Sequence, residues 1–306
     1  MKAQIAISIF TLLLYQNAFS QEKDSVVKVE NHYITLSEII VNQNLDVASF
    51  IKRVRNDTTF YKAFKSLRTV GYTAFNNIQM LDKRGRVEAS FNGETRQEVQ
   101  NHCRQLRILN DKVTGKFYDS KHNYNYYTAS MYGQMFLDER KVCGENNIVG
   151  NTQFSTDGLS GMEKHKAQLK MLFFNPGTKI KGLPFISGKT EIFDKSMEDD
   201  YNMRIDYDEN SQAYLFSINV KRGKEKKVVI QHMTTLFDEK TFEVLERNYT
   251  LKYDAGVYDF DVNMRVKMTK VRNLLVPSSI VYNGNWKLIF KKRERGIFTA
   301  TLSGFN

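Results

Sequence analysis

From Tyr201 onward the chain alternates apolar and polar side chains with a period of two. Tyr201, Met203, Ile205 and Tyr207 alternate with Asn202, Arg204, Asp206 and Asp208, and Tyr214, Phe216, Ile218 and Val220 repeat the pattern after an Asp208-Glu209-Asn210 turn. In the longest run Tyr258, Phe260, Val262, Met264, Val266 and Met268 point one way, and Asp259, Asp261, Asn263, Arg265 and Lys267 the other. Alternation held over roughly a dozen residues predicts a strand on the order of 40 Å long with one wet and one dry face. Further strands are predicted near 226–237, 242–253, 276–283, 286–291 and 296–302. The short links Asp238-Glu239-Lys240 and Asp254-Ala255-Gly256 make neighbouring strands antiparallel. Between Val244 and Tyr249 the apolar parity slips by one, which predicts a bulge and a bend.

The first two-thirds of the chain mixes periods. Val47, Phe50, Ile51 and Val54 fall on one helical face behind a cap at Asn44 or Asp46, and Phe60, Tyr61, Phe64 and Leu67 continue the stripe after Asn56-Asp57-Thr58. A hairpin pairs Tyr72–Met80 with Arg86–Phe91 across Asp82-Lys83-Arg84-Gly85, and a second is expected between His102–Leu109 and Thr114–Asp119 across Asn110-Asp111-Lys112. A helix is expected through Met131, Met135 and Phe136, and another over Gly161–Phe174, stopped by Asn175-Pro176-Gly177. Residues 144–160 read as a loop, and a short strand is expected around His32–Leu36 and a short helix around Thr190–Met197.

These elements add up to an α+β fold, a long, curved, mostly antiparallel sheet (a half-barrel-like meander) covered by a few helices. Residues 45–306 read as a single domain, with helix and hairpins over 45–200 and the meander over 201–306, behind a polar lead-in at 21–44.

The N-terminus changes where this domain is expected to work. Lys2, an apolar run through Tyr15, small residues at Ala18 and Ser20 and the polar Gln21-Glu22-Lys23-Asp24 form the three-part pattern of a signal peptide spanning 1–20, cleaved near Ser20–Gln21. The alternative is an uncleaved N-terminal anchor. No Cys stands in the first hundred residues, so a lipobox is absent and a lipoprotein is not expected. An extracytoplasmic, periplasmic location follows, and with it an oxidising setting for Cys103 and Cys143. A disulfide between them is the natural reading and two buried thiols the alternative; His102, Cys103, His122 and Cys143 lack the ligand spacing of a zinc site.

The net charge of +11 suits an anionic membrane surface, acidic glycans or nucleic acid, but no nucleic-acid motif accompanies it and export argues against that partner. Clusters such as Lys221-Arg222-Gly223-Lys224 and Lys291-Lys292-Arg293 fall at predicted turns, where solvated loops are the ordinary explanation. Nor does catalytic chemistry assemble. Gly158-Leu159-Ser160-Gly161 lacks the spacing of a nucleophile elbow, the five histidines are scattered, and Glu198-Asp199-Asp200 reads as a solvated link. His232 reads as an inward-facing packed or hydrogen-bonded residue of its strand.

Leu172-Phe173-Phe174-Asn175-Pro176-Gly177, Gly182-Leu183-Pro184-Phe185-Ile186, Tyr258-Asp259-Phe260-Asp261-Val262, Tyr282-Asn283-Gly284-Asn285-Trp286 and Phe290-Lys291-Lys292-Arg293-Glu294 resemble a family of uncharacterised exported proteins of Bacteroidota-type bacteria. That resemblance implies an extracytoplasmic home and no assigned activity. In architecture, a helix followed by a long antiparallel meander is similar to the LolA-like lipoprotein-carrier fold, whose members bind acyl chains under a half-barrel; no functional motif of that group matches here residue by residue.

The expected function is a periplasmic binding protein, not an enzyme and without cofactor or metal, that uses its apolar sheet face for a lipid or other hydrophobic ligand. Phe216, Tyr258, Phe260, Met264, Met268, Trp286 and Phe290 are the candidate contacts, because methionine and aromatic side chains make an adaptable apolar lining. Ile180, Leu183, Phe185 and Ile186, between Gly182 and Gly188 or just before them, form a candidate lid. The competing reading for all of these is ordinary core. An envelope scaffold that contacts the membrane peripherally, and a hydrolase with an unrecognised site, are the alternatives.

Overall fold

A computed structural model describes residues 24–147, 171–178, 186, 188–197, 199–256, 258–288 and 291–306. The signal-peptide reading, the lid residues Ile180, Leu183 and Phe185, the candidate contact Phe290, and most of the helix expected over 161–174 lie outside these residues.

The frame is one open, curved, mostly antiparallel sheet of 13 strands, an α+β fold. Along the chain come β1 (Ser25–Val29), β2 (His32–Leu36), α1 (Glu38–Asn42), α2 (Val47–Arg55), α3 (Thr59–Leu67), β3 (Tyr72–Leu81), β4 (Val87–Gln100), β5 (Cys103–Gly115), α4 (Tyr127–Phe136) and β6 (Val142–Cys143). The meander follows as β7 (Tyr201–Asp208), β8 (Ala213–Val220), β9 (Ile230–Asp238), β10 (Val244–Asp254), β11 (Tyr258–Val271), β12 (Leu274–Leu288) and β13 (Glu294–Ser303). Across the sheet the order is β1-β2-β7-β8-β9-β10-β11-β12-β13-β3-β4-β5-β6, and the β2–β7 pair is parallel.

That order explains where the core sits. After β2 the chain must travel from one side of the sheet to the other to begin β3, and after β6 it must come back to begin β7 beside β2. The outward leg carries α2 and α3, the excursion between β5 and β6 carries α4, and the return leg carries the helical turn at 171–174 with residues 186 and 188–197. All three lie on the same face, where the apolar residues of the strands point. Phe50 of α2 meets Phe216 and Phe237, Phe60 of α3 meets Tyr249, Tyr132 of α4 meets Phe298, and Phe173 meets Tyr282 and Trp286. Caps fix the helix starts: the Ser49 amide donates to Asp46 at 3.1 Å, and the Thr59 amide donates to Asp57 at 2.9 Å.

Three local expectations need correction. The second hairpin turns at Asn101-His102, not at 110–112, so β4 and β5 run on as long paired strands. Both turn residues hold φ near +50° (51° and 57°), as a two-residue hairpin link whose twist matches the strands requires. Asn tolerates that conformation, but His without a Gly neighbour hid the signal. Strands expected at 276–283 and 286–291 are one strand, β12, because Gly284 sits within the ladder opposite Gly296 instead of breaking it. His232 faces away from the core. A register shift between Thr250 and Leu251 inverts the parity of β9 there, so Met233 points in and His232 meets Asn219 at 2.6 Å on the open face. The bulge expected between Val244 and Tyr249 is present, at Val244/Glu246.

Candidate functional site

One register row carries the candidate site. Met233, Tyr249, Met264, Tyr282, Phe298, Ile78 and Phe91 stand opposite one another across β9, β10, β11, β12, β13, β3 and β4. All are buried on the covered face. The next row is small at its centre: Val262, Gly284, Gly296 and Met80 pair in turn, and the two glycines face each other. Their role is steric. A Cβ on Gly284 would fall 1.9 Å from the Tyr282 hydroxyl, and one on Gly296 would fall 2.9 Å from the Phe298 ring. The glycines therefore let both rings lie down along the sheet, where they stack 4.7 Å apart, 7° from parallel. Trp286 completes the floor by donating its Nε1–H to the Tyr282 oxygen at 2.6 Å.

Above this floor stands α4. Its first turn has no cap of its own, and the carboxylate of Glu294 in β13 supplies one. The Tyr127 and Thr128 amides and the Thr128 hydroxyl all donate to Glu294 at 2.8 Å. The negative charge also complements the helix N-terminus. Deeper in, the Tyr132 hydroxyl donates to Asn76 at 3.0 Å, and Asn76 donates to Thr95 at 3.0 Å, so this buried polar row is satisfied.

Between α4, Phe173–Phe174 and the floor lies an apolar cavity of about 30 Å³, lined by Met131, Met135, Met264, Ile280, Tyr282, Trp286 and neighbouring rings. At rest it has room for a water molecule or two, and few polar partners for either. It adjoins a pocket of about 220 Å³ with which it shares Met135, Phe136 and Phe174. This second pocket is half polar in character: Gln97, Arg68, Lys65 and Arg104 line it together with Tyr61, Tyr72 and Met171. Buried Gln97 is held by donating to the Leu67 and Val70 carbonyls at 2.9 and 2.7 Å. Arg68 grips one oxygen of Glu145 at 2.8 Å, and Arg104 grips the other. Burial alone would raise the Glu145 carboxyl, but the two guanidinium groups reverse this and hold it below the usual carboxylate range. Burial pushes the Tyr72 phenol up to about 12, so it stays protonated beside them.

Met264 and Trp286, among the residues singled out from the sequence, line the cavity, and Phe260 packs behind Trp286 with ring centres 4.8 Å apart. Tyr258 stacks on Phe260 and is half-buried, as is Met268. Phe216 lies elsewhere, under α2. Ile186 is fully buried. Tyr282, Phe298 and Ile280 were not singled out, although the period-two pattern of β12 and β13 places them on the same face. Only the crossing of α4 distinguishes them from other core residues, and no strand pattern encodes it.

Cys103 and Cys143 are joined in a disulfide that ties β6 to the start of β5, beside the Glu145 clamp. Among the described residues no group of three or more His, Cys, Asp or Glu side chains is placed to hold a metal, and no helix is long and apolar enough to cross a membrane.

No protein-family model matches the chain, and no curated protein matches it significantly. Solved structures similar to it include a DUF1329 family protein from Desulfovibrio piger, at 11% identity and a TM-score of 0.24, covering 81% of this chain and 91% of that one. An outer membrane lipoprotein-sorting protein domain from Vibrio parahaemolyticus is similar at 6% identity and a TM-score of 0.26, covering 84% and 89%. Lipovitellin, in a structure concerned with lipid–protein interactions, is similar at 7% identity and a TM-score of 0.24, covering 78% of this chain and 25% of that one. Likeness at this level transfers no residue roles and no ligand, so the functional case rests on the side chains described above.

Proposed function

We propose that the protein is a non-enzymatic, extracytoplasmic binding protein that holds an apolar tail between α4, the Phe173–Phe174 turn and the glycine-floored sheet. The observation that carries this reading is the Met131–Met135–Met264 cavity adjoining, across Met135, Phe136 and Phe174, a pocket lined by Lys65, Arg68 and Arg104. Unbranched thioether side chains change rotamer at little cost, so a cavity lined by them widens around a ligand where a Leu or Ile lining would resist. An amphiphile with one tail and an anionic end fits this gradient from dry to cationic. The disulfide supports an oxidising compartment as the place of work.

The test is direct. Protein purified from its native host is extracted with organic solvent and the extract read by mass spectrometry, and the stripped protein is titrated with a fluorescent fatty acid. Stoichiometric lipid in the extract and saturable binding, weakened by Met264→Phe at unchanged fold, are the expected results. An empty extract together with no saturable binding overturns the proposal.

A further inference from the structure

The basic clusters that look like isolated solvated turns in the sequence are brought to one end of the sheet. Because the meander alternates direction, the β8–β9, β10–β11 and β12–β13 links share an end, and the pairing of Arg295 with Leu81 puts the β3–β4 turn there too. The β8–β9 link carries five cations between Lys221 and Lys227 against the single carboxylate of Glu225. The β12–β13 link carries Lys291, Lys292 and Arg293, and the β3–β4 turn carries Lys83, Arg84 and Arg86 against Asp82. At the opposite end the β7–β8 and β9–β10 links carry Glu209, Glu239 and Glu243 with the lone cation Lys240, and the β11–β12 turn adds Arg272.

Some of these cations are neutralised in place: Arg86 pairs with Asp82 at 2.8 Å, Arg293 with Asp259 at 2.7 Å and Lys224 with Asp200 at 3.2 Å. Lys83, Arg84, Arg222, Lys226, Lys227, Lys291 and Lys292 are exposed and have no ion pair among the described residues. With strands about 4.8 Å apart, the three links span roughly 30 Å along the sheet end. The Arg295 guanidinium donates to the Lys83 carbonyl at 2.8 Å and fixes two of them relative to each other. Among the described residues of this row the exposed large apolar side chain is aliphatic, Val87, half-exposed at 50%. A broad row of lysine-rich loops with an aliphatic contact, and no exposed aromatic ring among their described residues for a base or sugar to stack on, fits a lipid surface better than nucleic acid or a glycan.

We infer that this end of the sheet docks the protein on a membrane surface rich in anionic headgroups. The inference does not rest on the ligand reading, because the β8–β9, β12–β13 and β3–β4 links are separate from the pocket of Arg68 and Arg104.

The test is co-sedimentation of the full protein with phosphatidylcholine vesicles containing about one-third phosphatidylglycerol, against pure phosphatidylcholine. Binding to the anionic vesicles alone, lost on raising salt from about 0.1 to 0.5 M, is expected, since the Debye length shrinks below the reach of the loops. The variant Lys226→Glu/Lys291→Glu/Lys292→Glu is expected to bind tenfold or more weakly, as each basic side chain near such a surface contributes on the order of a fivefold gain. A control, Lys62→Glu/Lys240→Glu/Arg272→Glu, makes the same change in net charge away from these links and is expected to keep at least half of the binding. Equal loss in both variants, no vesicle binding at low salt, or binding to heparin with none to vesicles, each overturns the inference.

Discussion

The covered face of the sheet is two different environments built from one strand pattern. Under α2 and the first turn of α3 it is solid: Phe50 alone meets Tyr214, Phe216, Phe237 and Phe242 edge-on at 5.2–6.1 Å, and Phe60 packs against Phe64 and Tyr249. A buried ion pair, Asp57 with Arg247 at 3.4 Å, is locked into this half, with Arg247 also donating to Thr235 and lying 4.5 Å over the Phe60 ring. Under α4 the contacts are methionines, rings lying over glycines and a cavity. The difference shows that strand alternation creates a dry face, while the segments that cross it decide whether a given patch becomes core or site.

The largest effect should come from breaking the solid half. Asp57→Asn leaves the Arg247 guanidinium buried without its charge partner, in surroundings that already pull it below its ordinary value. The expected loss is about 3–5 kcal/mol in chemical denaturation. Replacing both members of the pair by apolar residues of similar volume should cost much less, because the penalty lies in the stranded charge.

Next comes the disulfide at the edge of the other half. Cys103→Ser/Cys143→Ser releases a cross-link between residues 40 apart, and a loss of about 2–4 kcal/mol is expected. The same shift should follow addition of a reductant to the natural chain. Disulfide and clamp lie together at Glu145, so this variant should also loosen the Arg68–Arg104 grip and alter ligand binding, whereas Asp57→Asn should not at temperatures where it remains folded.

Glu294→Ala tests the α4 half itself. Removing the carboxylate that satisfies two amides and a hydroxyl should cost about 1–2 kcal/mol. It should also speed hydrogen exchange of the α4 amides selectively. Exchange rising equally in α3 would mean that the two halves open together, and the contrast between them would fail.

How much of this was legible in the chain depends on which physical signal had to be read. The meander was, because β7, β8, β11 and β13 hold their period-two pattern and β9 and β10 interrupt it only at their register shifts, while α2 and α3 show clear apolar stripes. The Asn101-His102 turn was not, since its backbone demand is usually advertised by Gly. The continuity of β12 was hidden by Gly284, which reads as punctuation until the Tyr282 ring above it is seen. Met264 and Trp286 stood out as large flexible or aromatic residues on the dry face, yet so did Phe216, which is core. Glu294 as the cap of α4 spans more than 160 residues and leaves no local trace.

The smallest expected effect turns on a single residue of parity in β9. The shift beside Thr250 puts Met233 into the solid half and His232 onto the open face, half-buried against Asn219. Burial lowers the imidazole below its ordinary value. The unfolded chain therefore binds a proton that the folded chain refuses as pH falls through about 6.5, the ordinary value, towards the lower folded one. Stability from this group is complete above that range and declines on acidification within it. His232→Asn keeps a polar partner for Asn219 without a titrating group, so it should flatten the stability–pH curve between about pH 5 and 7 while leaving the neutral-pH value nearly unchanged. Comparison of urea midpoints of the two proteins at pH 7.5 and 5.5 reads this out. A midpoint gap that is as large at pH 7.5 as at 5.5 would place His232 in the packing of the solid half after all, and the one-residue division between the faces would be wrong.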